Sequence, residues 1–567
     1  MFHMIQHDTA ARLGPLPAAS LHMDCARSAP PLPRARVRHP WAFFLLLLLL
    51  LISSCRPDSP ACPNCGTVVI AATREPSHIL PPLVFETVGR DIGDRVWERL
   101  ATFVPGGATI DASAYRPGLA STWERVDSLT WRFHLRPGAR WHDGRPVTAD
   151  DVVFSFAAYA DTTLGAPAGS ALDGVTVTPE DSATVLVRFP RVQPEQFYDA
   201  TYFVRVIPRH HWDNVPRDRW AADTSTARLV GSGPYRVRGW QRGTALTIET
   251  DSAARPTEVH RLVWRFASDP EAALNLVLAH EADALETTVG PVQRNRAAGD
   301  TSVRVQPYPA AVYGFIAFRL GDARSRPHPL LGDPSVRRAL ALATDRTTLA
   351  QAIYGAGAVA PRGPFSSLAW INDPAIEVLP FDTAEARREL GRRRTKGPIA
   401  FGILVPSTSP ARRMLAEALQ AQWRPLGIET TITAVDFPVF QERLAQGKFD
   451  SYIGAYADEP SPRGLAEQWT KAGWGGLNYG RYANPVFDSL MAVASATAEL
   501  PRAKERWREA MDTLNADVPA IFLYSPEQAA VLSRRLENVS IDPFGWLNGV
   551  EGWGVDQRST RSQGAAR

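Results

Sequence analysis

One run constrains the fold more than any other: WHDGRPVTADDVVFSF, Trp141 to Phe156, with the stretch just before it. Leu129, Trp131, Phe133 and Leu135 alternate with Thr130, Arg132 and His134. A period of two puts one set of side chains on one face, which predicts a half-buried strand. Arg136-Pro137-Gly138 ends it. Asp143-Gly144 is a second turn, because glycine accepts positive φ without steric cost. Thr148 is placed as a helix N-cap, with Asp151 as its capping-box partner. Asp150 and Asp151 fall where the helix dipole favours negative charge. Val152, Phe156 and Tyr159 continue one apolar face. His142, Asp150 and Asp151 are residue types that can carry metal or acid–base chemistry. Neighbouring carboxylates in a first helical turn diverge around the axis and cannot share a proton, so capping is the reading adopted.

The N-terminal region points to a compartment. Arg34, Arg36 and Arg38 precede an apolar run from Trp41 to Ile52, followed by Ser53-Ser54-Cys55. A basic stretch, a short apolar stretch and small residues describe a secretory signal. A bilayer span needs about 20 apolar residues, and this run is shorter. Ile52-Ser53-Ser54-Cys55 resembles the lipobox of bacterial lipoproteins, which implies that Cys55 is lipidated and becomes the mature N-terminus. Arg56 to Pro60 then reads as an extended linker. Cys62 and Cys65 form a CxxC within this Pro-rich stretch. No second CxxC completes a zinc site, so a small local disulfide is expected in an oxidising envelope.

The formal net charge is only +3, and no clustered basic patch suggests nucleic acid. The 47 prolines and 40 glycines imply many loops, while 45% apolar residues support large cores. A chain of this length is expected to form two to four domains or lobes.

Strands and helices mix from residue 67 onward. Thr67 to Ala72 reads as a buried strand, Val96 to Phe103 as a short helix or turn leading to a small strand, and Thr184 to Phe189 as another strand. Gly231-Ser232-Gly233-Pro234-Tyr235 makes a turn into a strand. No helix and no Lys-Ser/Thr follow it, so it is not a phosphate cradle. From Asp269 the pattern turns helical, with Ala272, Leu276 and Ala279 on one face. Tyr313 to Phe318 looks like a strand crossing between lobes. Asp333 opens a helix with Val336, Leu340 and Ala343 on one face, and Arg337-Arg338 is read as solvated. Asp345 caps a second helix that ends at Gly355, and Asp382 caps a third. Phe401 to Val405, Ala411 to Trp423 and Glu429 to Ala434 give the strand–helix–strand order of a parallel-sheet lobe.

Together these motifs resemble the family-5 extracellular solute-binding proteins of ABC importers, the oligopeptide-, dipeptide- and nickel-binding proteins. The run at Trp141 matches the family's WxDGxPxTAxDVxxS pattern. Gly231 to Tyr235 matches G-T-G-P-Y. Asp333 to Phe365 carries V-R-x-A-x-x-x-A-x-D-R followed by G-x-A-x-P. Asn484 to Asp488 matches N-P-x-x-D, and Pro519 to Ile521 matches P-x-I. The resemblance covers most of residues 67 to 550. It implies an α/β, two-lobed periplasmic-binding-protein-like fold (type II, cluster C) with an extra inserted domain. The expected division is a signal segment at 1–54 and a lipidated linker at 55–66. Lobe I takes 67–108, 228–306 and 525–557, the inserted domain 109–227, and lobe II 307–524.

The resemblance also implies a non-catalytic receptor that closes on a solute and docks on a membrane permease. Its expected partners are a peptide or other small solute, the permease subunits with their cytoplasmic ATPase, and the membrane surface through Cys55. The expected state is a monomer at the extracytoplasmic face of a bacterial envelope, with no cofactor. Peptide binders of the family hold the ligand's α-ammonium with an aspartate four residues before the proline of a D-x-x-D-P-like loop. Here that position, counted back from Pro460, is Tyr456, so Asp458 or Glu459 is the candidate carboxylate. Trp474 is the candidate aromatic wall, among the loop tryptophans Trp469, Trp474, Trp546 and Trp553. His210-His211 raises a metal, but no carboxylate is seen to join them, and no metal site is expected. An oligosaccharide or nickel-chelate receptor, a ligand-sensing lipoprotein and an envelope hydrolase are the other readings. No HExxH, GxSxG, P-loop or GxGxxG supports the last.

Overall fold

Three β-sheets position everything else. The computed structural model describes residues 66–556 apart from 167–168, 252–256, 289 and 323. Residues 1–54, read above as a signal segment, and Cys55, Cys62 and Cys65 lie outside the described residues. Among the described residues, no helix is long and apolar enough to cross a membrane.

Lobe I is built on a seven-stranded sheet. Thr67–Ala72, buried at all but one position, lies near its middle. It runs parallel to Arg261–Phe266 on one side and Ala284–Leu285 on the other. Strands covered on both faces read as continuous apolar runs, which is why TVVIAA was legible. Tyr235–Gln241 and Ala245–Thr250 complete one side, Glu527–Ser533 and Val303–Pro309 the other.

Lobe II is a five-stranded sheet in the order Ile428–Val435, Ile399–Pro406, Ser451–Ala457, Val312–Phe318, Ala520–Tyr524. The first two are parallel and joined by the helix Pro410–Trp423. That is the expected βαβ unit. The helix packs Leu415, Ala416, Leu419 and Trp423 into the core beside Phe401 and Ile403.

The third sheet is antiparallel, in the order Ala120–Arg125, Thr130–Leu135, Thr184–Arg188, Thr176–Pro179. With the helix Ala149–Tyr159 it forms the inserted domain. Its Phe133, Val152 and Val185 share one continuous core with Val68, Ile70 and Trp264 of lobe I.

Two adjacent crossovers join the lobes. Val303–Pro309 of lobe I passes through Ala310-Ala311 into Val312–Phe318 of lobe II. Ala520–Tyr524 of lobe II returns through Ser525-Pro526 into Glu527–Ser533 of lobe I. The two tie together where Ala310 N donates to Pro526 O at 3.0 Å. Near them Gly314 has no freedom to change: a Cβ there would lie 2.0 Å from the Tyr524 ring, which stacks on Tyr354 at 4.1 Å. Gly314→Ala is expected to cost about 1–3 kcal/mol through overpacking. A urea midpoint equal to that of the wild type would contradict this.

The structure corrects three local readings. The helix near Val96 lies upstream, at Thr87–Val96, and the small strand is Ala101–Phe103. The helix after Asp269 buries Ala273, Leu274 and Val277, not Ala272, Leu276 and Ala279. Arg337 is buried rather than solvated. It donates to the carbonyls of Leu331, Asp517 and Val518, satisfying acceptors left open at the end of the helix Leu500–Asp517.

The opening motif is a clamp. Asp151 Oδ2 accepts from Thr148 N at 2.9 Å, Thr148 Oγ1 at 3.1 Å and Trp141 Nε1 at 3.3 Å. Its Oδ1 accepts from Arg209 N at 2.9 Å. His142 joins the run to the Gly231–Tyr235 turn: Gly231 N donates to Nδ1 at 3.2 Å, and Nε2 donates to Gly233 O at 2.9 Å. Burial holds the imidazole pKa below the usual value, although the bond to Gly233 O pulls it upward. A Cβ on Gly231 would sit 1.9 Å from Val96 O, which explains that glycine. Two segments some ninety residues apart are therefore halves of one structural joint.

Candidate functional site

Strand direction locates the site. In lobe II the parallel strands Ile399–Pro406, Ile428–Val435 and Ser451–Ala457 all end at the edge where the crossovers begin, since Val312 pairs with Ala457. In lobe I the carboxyl end of Ala284–Leu285 points the same way along Glu527–Ser533, whose Glu527 pairs with Pro309. Ligands of open α/β sheets sit beyond the carboxyl ends of strands. The two such edges face each other across the crossovers and define an interlobe cleft.

Asp458 follows the strand Ser451–Ala457 directly. Its N–H donates to Ala311 O, on the crossover, at 2.8 Å, and its carboxylate accepts from Ser366 N. Burial pushes this carboxyl up to about 6 against the pull of those bonds. Glu459 is reachable from the cleft yet crowded by both lobes. That crowding raises its pKa, and Arg90 of lobe I partly offsets it. Glu286, just past the strand Ala284–Leu285, is pushed up to about 7 by burial, again countered by Arg90. The charges of Glu459 and Arg90 also reach Tyr202 of the inserted domain. The charge of Arg90 thus acts on carboxylates from both lobes. Beside Asp458 and Glu459, Phe365, Trp370, Pro462 and Leu465 line a cavity of about 20 Å³. The Trp370 indole N–H is buried in that wall without a partner among the described residues.

The other candidates lie elsewhere. Tyr456 is a core residue, stacked on Phe315 at 5.4 Å, with its hydroxyl donating to Leu477 O at 3.4 Å. It fills with aromatic packing the place where the family pattern has an aspartate. Trp474 is half-buried, donates to Tyr482 O at 2.9 Å, and has Lys471 and Arg481 over its ring. It is not among the residues lining the cavity beside Asp458. Trp469, Trp546 and Trp553 are buried in the cores. The histidine reading is corrected: a carboxylate does join His210 and His211, because Asp143 Oδ2 lies 2.7 Å and 3.3 Å from their Nε2 atoms.

Sequence reasoning missed two features. Arg412 is 8% exposed on the buried side of the helix Pro410–Trp423, at the carboxyl edge of the lobe II sheet. Its charge acts on Tyr354 and Tyr456. Among the described residues it has no ion pair and no hydrogen bond. An arginine on an otherwise apolar helical face was the available signal. The second is a bridge from lobe II to the inserted domain. Arg463 pairs with both Glu195 and Asp199, which are 3% and 0% exposed. Ser461 Oγ donates to Glu195 Oε2 at 2.7 Å, and Thr109 donates to its other oxygen. Burial lifts Asp199 to about 6, although Arg463 pulls it down.

Two α/β lobes, an inserted domain locked to one of them, and a charged cleft at paired crossovers define a two-lobed solute receptor. The chain belongs to the bacterial extracellular solute-binding proteins, family 5: the profile described as that family's middle portion matches residues 114–476. This is a family of solute-binding proteins, not of enzymes. The probable di/tripeptide-binding protein 5 of Pseudomonas aeruginosa is 25% identical over 489 residues, 80% of this chain and 88% of that protein. The solved substrate-binding protein CtaP of Listeria monocytogenes superposes with a TM-score of 0.76 at 21% identity, covering 87% of this chain and all of that one. The oligopeptide-binding protein AppA of Bacillus subtilis, solved with a nonapeptide, gives 0.66 at 20% identity, covering 86% and 99%.

Proposed function

We propose that this protein captures a peptide or peptide-like solute between its lobes and delivers it to an ABC-type permease, held at the membrane surface as a monomer through a lipidated Cys55. The observation that carries this reading is the pairing of opposite charges in the cleft region. Asp458, Glu459 and Glu286 offer carboxylates there, and Arg412 is a buried cation without an ion pair among the described residues. A zwitterion with separated ammonium and carboxylate groups complements both. The similarity to named peptide-binding proteins supports the same ligand class.

The first test is mass spectrometry of small molecules released from protein purified without refolding, followed by thermal shift with a peptide panel. Binding of the native state alone raises the melting temperature in proportion to saturation. Sugars or a nickel chelate stabilising the protein while peptides do not would overturn the peptide reading. Arg412→Gln is expected to weaken peptides with a free carboxylate by about thirtyfold, the scale of a desolvated charge pair. C-terminally amidated peptides should change little. Equal losses for both would remove Arg412 from the site.

The acidic cluster predicts a pH dependence. An ammonium seated against Asp458 or Glu286 lowers a carboxyl that burial has raised, to about 6 and about 7 respectively. Binding then releases protons, so affinity for free-amine peptides rises with pH through that range, about tenfold per unit of pKa shift. N-acetylated peptides should lack this slope. Calorimetry in buffers of different ionisation enthalpy checks the proton count directly.

A further inference from the structure

We propose that Asp143, His210 and His211 form a binding site for a first-row divalent transition-metal ion on the inserted domain, separate from the interlobe cleft. The three residues come from two segments. Asp143 stands on the turn between Trp141 and Gly144, where Gly144 takes φ +88°. Its Oδ1 is occupied by Arg145 N at 3.1 Å, which fixes the carboxylate and leaves Oδ2 free to turn outward. His210 and His211 lie on the short helix Arg209–Trp212, which the clamp at Asp151 holds against that turn.

Adjacent residues on a helix ordinarily point about 100° apart, so their side chains diverge. Here the two rings converge, with centroids 4.5 Å apart and both Nε2 atoms aimed at the single oxygen Oδ2. One ligand atom from each residue lies within 4.8 Å of the other two. Two imidazoles and a carboxylate make up a donor set found in zinc, nickel and copper sites with open positions. A metal at about 2.1 Å from each donor in tetrahedral geometry separates the donors by about 3.4 Å. His211 Nε2 stands 3.3 Å from Oδ2, close to this value, and His210 Nε2 at 2.7 Å would have to draw back by about 0.7 Å. All three side chains keep solvent access, between 20% and 28%, so an ion can enter and water can fill the remaining coordination positions.

The test uses the full chain stripped with EDTA and titrated with zinc chloride by calorimetry, then with cobalt chloride followed by visible absorption. The expected result is one more bound ion per chain in the wild type than in the His210→Ala/His211→Ala variant. The cobalt spectrum should carry the d–d bands of nitrogen ligation, lost in the variant. The comparison subtracts metal held by the cysteines or by other histidines. Arg412→Gln should retain the extra ion. An equal ion count in wild type and double variant, including zero in both, overturns the proposal. So does loss of the extra ion in Arg412→Gln, which would place it in the cleft. Circular dichroism matching the wild type keeps a folding defect in the double variant from imitating the expected result.

Discussion

Replacing Arg463 with methionine is expected to detach lobe II from the inserted domain. Among the described residues, its guanidinium is the only cation that forms an ion pair with Glu195 and Asp199, two carboxylates essentially inaccessible to water. Removing one partner of a buried ion pair typically costs about 3–5 kcal/mol, because the remaining charge stays desolvated. The protein can relieve that cost without unfolding, since parting the two domains rehydrates both carboxylates. The expected outcome is thus an increase in the radius of gyration by small-angle scattering, with the cores intact by circular dichroism. Ligand affinity should fall as well, because closure must then oppose the rehydrated acids. Acidification tests the cause. Asp199 in contact titrates at about 6, whereas a hydrated aspartate stays charged down to about pH 4. A raised carboxyl takes up a proton in the contact form first, so contact is increasingly favoured as pH falls through about 6. The gap between wild type and variant should therefore narrow at mildly acidic pH. A variant with unchanged dimensions and unchanged affinity would show that the bridge contributes nothing to closure.

Asp151→Ala is expected to be the most damaging single change within the inserted domain. The carboxylate is buried and serves four donors on three segments: the turn at Trp141, the helix start at Thr148 and the backbone at Arg209. Each donor left buried without a partner costs about 1–3 kcal/mol. Local water entry satisfies some of them, so a total of about 3–5 kcal/mol is expected, read from the urea midpoint. Asp151→Asn should recover only part of this, since an amide presents one accepting oxygen. Asp150→Ala, whose partner Arg209 lies 3.5 Å away at the surface, is the matched control and should stay within about 1 kcal/mol. Similar losses for the two substitutions would refute the clamp.

What the sequence made legible follows physical lines. Strands buried on both faces, such as Thr67–Ala72, announce themselves by apolar continuity. Helices opened by a side-chain cap, such as those at Asp382 and Asn484, announce themselves by local chemistry. The helix Thr87–Val96 did not, because Gly89 and Gly93 disguise it; at Gly89 the chain passes close, and a Cβ there would lie 2.7 Å from His78 O. The cleft was legible only as an expectation from family resemblance. Its charges come from Arg90, Glu286, Arg412 and Glu459, scattered over some 370 positions with no spacing to link them. Asp143 and His210 were each noticed separately, and nothing short of the fold brings them together. Tyr456 illustrates the opposite case. The departure from pattern was visible, while its consequence, an aromatic core contact in place of a charge, depends on Phe315 across the sheet.

The paired crossovers have a mechanical consequence. Two antiparallel ribbons, each only two residues long at the junction and fastened by Ala310 N–H to Pro526 O, resist twisting and sliding far more than bending. Lobe movement is thereby restricted to rotation about one line through that junction. An occupant of the cleft can then alter only one coordinate, the opening angle. Solutes of unlike shape but equal thickness would present the same outer surface to whatever docks there, so the hinge converts chemical identity into a single length.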